Sequence, residues 1–232
     1  MAAVNIGWSF GEQTKCPECL VRDTEQELYD EAYYLRGRET GKSLYENYHW
    51  LPELTLPMVC SIVDHCRIAY YDTILDFGCA RGYTVKALRQ LGYEAWGVDC
   101  SKWAVANCDS DVKQYLSDVV SSNYYDWVIA KDVLEHVPQV EDKVATLMDA
   151  ARKGVFAVVP LSPFDGAPYV VEDYERDVTH VHRLSLPTWA AMFMRAGWSV
   201  ETSYRVRGVK DNYASWTDGN GFVTARRLDK YE

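Results

Sequence analysis

From Asp72 onward the chain alternates short apolar runs with segments whose apolar residues recur at helical spacing. Residues 73–77 form an apolar run closed by Gly78, the pattern of a strand buried on both faces. A helix is expected from about Gly82, with Val85 and Leu88 inward and Gly92 as its terminator. Residues 95–98 read as a second strand, followed by a short helix around Lys102 to Asn107. Further strands are expected at 112–116, 127–130, 155–159, 200–206 and 222–225. Val144, Leu147, Met148 and Ala151 are spaced i, i+3, i+4, i+7 with Gly154 as the stop, and Trp189, Met192, Phe193 and Ala196 repeat that spacing before Gly197. Repeated β-α-β units of this length predict an α/β fold with a doubly wound, mostly parallel seven-stranded sheet, and such sheets bind ligands at the carboxyl ends of their strands.

Residues 1–70 do not share this alternation. They carry Tyr29, Tyr33, Tyr34, Arg36 and Arg38, then Tyr45, Tyr48, His49 and Trp50, and read as an N-terminal helical and loop cap over a domain spanning 71–232. Pro57 is expected to open a helix with Val59, Ile62, Val63 and Cys66 on one face.

The strand ends carry the chemistry. Glycines at 78 and 82 let backbone approach a ligand where strand one turns into a helix whose N-terminus favours negative charge. Asp99 ends the second strand, 23 residues after Asp76, where an acid can accept both hydroxyls of an adenosine ribose. Asp118 ends the third, placed to read an adenine amino group. A dinucleotide fingerprint requires glycine where Ala80 and Tyr83 stand, and Asp76 would set a carboxylate near a pyrophosphate. That carboxylate suits a ligand with an ammonium, such as an amino-acid moiety.

Residues 74–82, 97–101 and 126–136 together resemble class I S-adenosylmethionine-dependent methyltransferases. The pattern is most similar to the small-molecule branch that includes ubiquinone-biosynthesis and sugar methyltransferases, and it covers roughly residues 70–206. The resemblance implies a Rossmann-like methyltransferase fold and S-adenosyl-L-methionine as cofactor. It places Asp76 and the loop Gly78, Cys79, Ala80 and Gly82 at the methionine part, Asp99 at the ribose and Cys100 on the adenine. Asp118 and Val119 would stand at the adenine edge, and Lys131 would line the pocket through its backbone. Ala80 departs from the family, where many members have glycine.

For the acceptor, no Asn-Pro-Pro-Tyr follows the fourth strand and no Pro-Cys nucleophile occurs, which leaves oxygen as the favoured target. A hydroxyl acceptor needs its proton removed. His180 is the candidate base and His182 the second, because both lie in a segment expected to overhang the strand ends; His136 is read as holding a strand-to-helix turn at the pocket border. The loop histidines are read as bases rather than as a metal site. Arg36 or Arg38 is a candidate partner for the cofactor carboxylate, and Arg205, Arg207 and Lys210 form a small basic cluster.

Composition narrows the acceptor. The 232 residues contain 34 acidic and 24 basic side chains, a formal charge of -10, which argues against a nucleic-acid partner. The aromatic content of 13% is concentrated in part between Tyr29 and Trp50. No apolar stretch approaches the roughly 20 residues of a spanning helix, and the first residues lack a signal-peptide pattern. Seven cysteines, an odd number, favour reduced thiols and a cytoplasmic protein; Cys16 and Cys19 have the spacing of half a zinc knuckle with no second half. The expectation is a cytoplasmic methyltransferase acting on a small-molecule hydroxyl, with RNA or protein methylation and a non-catalytic cofactor-binding module as alternatives.

Overall fold

The computed structural model describes residues 27–120 and 125–228. Seven strands form one sheet: β1 (Thr73–Phe77), β2 (Glu94–Val98), β3 (Leu116–Ser117), β4 (Tyr125–Lys131), β5 (Ala151–Pro160), β6 (Trp198–Ser203) and β7 (Asn220–Arg227). Their order across the sheet is β3-β2-β1-β4-β5-β7-β6. Strands β1 to β5 pair in parallel, and β7 runs antiparallel to both β5 and β6.

The helices cover both faces. On one, α3 (Pro52–Cys66) and α4 (Tyr83–Gln90) bury Val59, Ile62, Val85 and Leu88 against Ile74, Ile129 and Phe156. On the other, α6 (Val140–Ala150) and α7 (Leu186–Met192) bury Val144, Leu147 and Trp189 against Leu75, Val128 and Val155. Two faces of apolar cover explain why residues 74–76 of β1 and 154–160 of β5 are buried consecutively instead of alternately. The remaining helices are short: α1 (Glu31–Leu35), α2 (Gly37–Thr40) and α5 (Lys102–Ala106).

Several boundaries differ from the sequence expectation. Helix α3 begins at Pro52, so Pro57 lies inside it. Helix α6 ends at Ala150, and Gly154 lies within β5, where the Trp127 ring stands 2.4 Å from the position a Cβ would take. That glycine serves strand packing, not helix termination. Residues 113–115 form a 3-10 turn, and β3 is only two residues long. Helix α7 ends at Met192 with Phe193 as its cap, earlier than the spacing to Ala196 suggested. The five described cysteines are free thiols, and Cys16 and Cys19 lie outside the described residues.

Candidate active site

At the carboxyl ends of β1, β2 and β4 lies a cavity of about 690 Å³. Its walls include Gly78, Ala80, Asp99, Cys100 and Asp118, together with Tyr29, Tyr33, Tyr34 and Tyr45 from the amino-terminal segment. Five of the ten residues proposed from sequence for cofactor binding therefore meet on one surface.

The turn after β1 is built from left-handed backbone. Gly78 has φ +78°, and a Cβ there would collide with Val133 at 2.4 Å; Gly82, φ +76°, caps α4. Between them Ala80 adopts φ +48°, a conformation that costs an L residue with a Cβ roughly 1–2 kcal/mol. Asp99 holds it there. The Ala80 amide donates to Asp99 Oδ2 at 2.7 Å, and the Ser101 amide donates to Oδ1 at 2.7 Å. Each oxygen keeps a further lone pair for a ligand hydroxyl. Burial raises the Asp99 pKa against the pull of those two amides. The same turn anchors the amino-terminal segment, because Ser101 Oγ donates to the Tyr29 carbonyl at 2.6 Å and accepts from the Ala104 amide to cap α5.

Other proposed residues stand back from the wall. Asp76 is buried beneath the turn, and burial, opposed by the Lys131 charge, pushes its carboxyl up to about 7. Cys79 points into the core, where a Cβ on Gly97 would meet its sulfur. Gly82 and Lys131 are also absent from the lining, and Val120 takes the place expected for Val119.

The aromatic cap is continuous. Tyr33 and Tyr34 pack on Ala80 and Ala104, and Tyr34 stacks on Trp103 at 5.6 Å between ring centroids. Tyr48 bridges from Tyr34 and Tyr45, 5.8 and 4.8 Å away, to Tyr83 at 5.1 Å, on which Trp50 also packs at 5.8 Å. Arg36 and Arg38 are exposed and do not line the cavity.

The segment after β4 supplies another wall of the cavity, with Asp132, Val133 and His136. Asp132, at φ +54°, lies between Lys131 Nζ at 2.6 Å and Lys210 Nζ at 2.8 Å. Burial opposes ionisation of Asp132, but the two ammonium groups outweigh it and hold its carboxyl below the usual range. Lys210 also donates to Tyr174 Oη at 3.0 Å, whereas Arg205 and Arg207 remain exposed. The sequence grouped these three cations by proximity and gave no sign that Lys210 alone turns inward.

Of the three histidines, His136 reaches the wall. It sits in the 3-10 turn Leu134–His136, and its Nδ1 lies 2.8 Å from Thr179 Oγ1. His180 lies behind it, ring centroids 4.6 Å apart, enclosed by Tyr169 and Tyr174. The reason is the loop path: the amides of Val181 and His182 both donate to the Glu135 carbonyl, which fixes the segment behind the turn that carries His136. His182 Nε2 donates to the Val137 carbonyl at 2.8 Å, so that ring braces the loop. Burial lowers the pKa of both His136 and His180, leaving neutral imidazoles at neutral pH. Glu135, buried beside them, is pushed up by burial and by the Asp132 charge. Its Oε1 is 4.0 Å from Nε2 of each histidine, wider than the roughly 3.4 Å between ligand atoms of a closed tetrahedral zinc site.

A family profile described as "Methyltransferase domain" matches residues 46–203. The chain belongs to the methyltransferase-domain family. This methyltransferase also shares its fold with solved structures. A chain from the complex of the Haloferax volcanii Trm112 methyltransferase activator with a methyltransferase superposes with a TM-score of 0.60 at 15% identity, covering 89% of this chain and 99% of that one. The Burkholderia thailandensis 1,6-didemethyltoxoflavin-N1-methyltransferase, solved with 1,6-didemethyltoxoflavin and S-adenosylhomocysteine, gives 0.59 at 16% identity, covering 89% and 88%. A SAM-dependent methyltransferase from Archaeoglobus fulgidus gives 0.56 at 14% identity, covering 76% and 97%. No curated protein matches by sequence. The methyltransferase is an S-adenosylmethionine-dependent enzyme, and the donor set fits that cofactor: a buried carboxylate with free lone pairs, a backbone turn open to close approach, and an aromatic wall. Among the described residues no helix is long and apolar enough to cross a membrane.

Proposed function

We propose that this methyltransferase methylates a hydroxyl group of a small molecule, with His136 as the base in place of His180. The observation that carries the reading is a neutral imidazole on the cavity wall with Nδ1 engaged by Thr179, while His180 is shut behind it. The cofactor supplies a methyl group activated by its sulfonium charge. Asp99 would hold the ribose, Cys100 and Asp118 the adenine, and the 78–82 turn, with Asp76 beneath it, the methionine part. The tyrosine wall excludes water and offers ring faces to a cation. His136 Nε2 would accept the proton released by the acceptor oxygen.

The cavity walls favour a small acceptor over a polyanion. Asp99, Asp118, Asp132, Asp142 and Asp149 line them against Lys143, a balance that repels phosphate backbones.

Transfer of labelled methyl to sugars, phenols, amines and RNA tests the acceptor class. His136→Ala should lower turnover of a hydroxyl acceptor by roughly 10²–10⁴-fold with S-adenosylhomocysteine affinity preserved. Asp99→Ala should instead weaken S-adenosylhomocysteine by about 100-fold in calorimetry, because it strands two amides as well as losing the ribose contact. Full turnover in His136→Ala, or RNA as the sole acceptor, would remove the proposal.

A further inference from the structure

We infer that Asp177 and Thr179 are positioning residues that fix His136, a residue of the cavity wall, as the Nδ1–H tautomer, so that Nε2, 4.0 Å from Glu135 Oε1, keeps a bare lone pair. The chemistry follows from counting protons. Asp177 is buried and accepts from three donors: Tyr33 Oη on Oδ2 at 2.9 Å, and the Thr179 amide and hydroxyl on Oδ1 at 3.0 and 2.5 Å. That is the hydrogen-bond pattern of an ionised carboxylate, which has no proton to give. The single hydroxyl proton of Thr179 therefore points at Asp177.

Toward His136, 2.8 Å away, Thr179 Oγ1 then offers only lone pairs. The Nδ1 that faces it must carry the ring proton. A neutral imidazole has one N–H, so Nε2 is left unprotonated. A carboxylate orienting an imidazole through its far nitrogen is the arrangement that makes histidine an effective base elsewhere; here a threonine hydroxyl stands between the two.

The relay also reaches the cap. Tyr33, in α1, is 144 residues from Asp177 in sequence and nearly inaccessible to solvent. One carboxylate thus holds the aromatic wall with one oxygen and sets the imidazole with the other. Docking of the cap and orientation of the imidazole share a single anchor.

The use of this tautomer as a base rests on the hydroxyl-methylation reading, but the tautomer belongs to the chain itself and is measurable without an acceptor. The full chain is labelled with ¹⁵N-histidine, and long-range ¹⁵N–¹H correlation spectra are recorded near neutral pH with S-adenosylhomocysteine present. His136→Gln assigns the signals. His136 is expected as Nδ1–H in the parent and in Thr179→Ser, which keeps the hydroxyl. Thr179→Val removes the hydroxyl acceptor, and Asp177→Ala takes away the oxygen that holds the hydroxyl proton; both should move His136 to Nε2–H. Tyr33→Phe removes the phenol donor on Asp177 Oδ2 but leaves the Oδ1–Thr179–His136 line intact, and should keep Nδ1–H in place. Calorimetry with S-adenosylhomocysteine and thermal melting show that each variant is folded, and if Asp177→Ala fails to fold, the threonine pair decides.

An Nε2–H or doubly protonated His136 in the parent overturns the inference. So does an unchanged tautomer in Thr179→Val, or a change in Tyr33→Phe, which points to general loosening of the loop. With a hydroxyl acceptor in hand, Thr179→Val should lower kcat by roughly 10²-fold with little change in KM for S-adenosylmethionine. Failure to find such an acceptor would count against the proposed function and leave the tautomer result standing.

Discussion

The two halves of the cavity are assembled differently. The half proposed for the cofactor comes mostly from one stretch of chain, residues 73–104, in which β1, a left-handed turn, α4, β2 and the Asp99–Ser101 cap follow one another, with Asp118 added from the end of β3. The half proposed for the acceptor draws on four separated segments: Asp132 to His136 after β4, Tyr174 to His180, Lys210 between β6 and β7, and Tyr33 in the cap. The first half is held mainly by backbone amides on a carboxylate. The second is held by side chains that pair across the fold. Local hydrogen bonds leave a sequence signature of glycines and aspartates, whereas long-range pairs of charge leave none.

The largest effect that separates the halves is expected at Asp76. Its folded carboxyl titrates at about 7 against an ordinary 3.8. Between those values the folded chain holds a proton that the unfolded chain has released, so stability is greatest below about pH 4 and falls as pH rises toward 7. The expected loss is on the order of 4 kcal/mol. Asp76→Asn, which cannot ionise, should flatten this part of the profile in urea unfolding followed across pH. A parent profile equally steep in the variant would assign the dependence to other groups.

The acceptor half is tested by Lys210. Lys210→Met removes one of two cations from buried Asp132 and should cost about 3 kcal/mol, while Arg205→Met, at an exposed site, should stay within about 0.5 kcal/mol. Equal small losses in the two variants would mean that the Asp132 cluster contributes little to the fold. The smallest effect is expected at Ala80. Its left-handed φ makes Ala80→Gly a relief of strain, partly offset by glycine's greater unfolded-state entropy, for a gain of up to about 1 kcal/mol with S-adenosylhomocysteine binding retained. A loss instead would show that the Ala80 methyl packing against Tyr33 and Tyr34 outweighs the strain.

Much of the fold was legible because both faces of the sheet are covered: the buried strands read as apolar runs and α6 as a helical stripe. The misreadings have local causes. Gly154 resembles a helix stop, yet it is a strand residue against which Trp127 packs. Val119 came from the family resemblance, and Val120 is the valine that lines the cavity. At the site, Asp99 and the 78–82 turn were visible as strand-end chemistry. His180 was preferred to His136 because the sequence shows that a loop returns over the strand ends but not how deep each ring sits.

The sequence by itself determined the order of strands and helices along the chain, the glycine turn, and the acids at successive strand ends, since each follows from local backbone preference and hydrophobic period. Tertiary structure alone decided which histidine meets the cavity, that Lys210 turns toward Asp132, and that Tyr33 and Thr179 share one carboxylate. Those choices depend on which buried polar groups find partners once the chain is packed, and partners up to 144 residues apart are set by the fold as a whole.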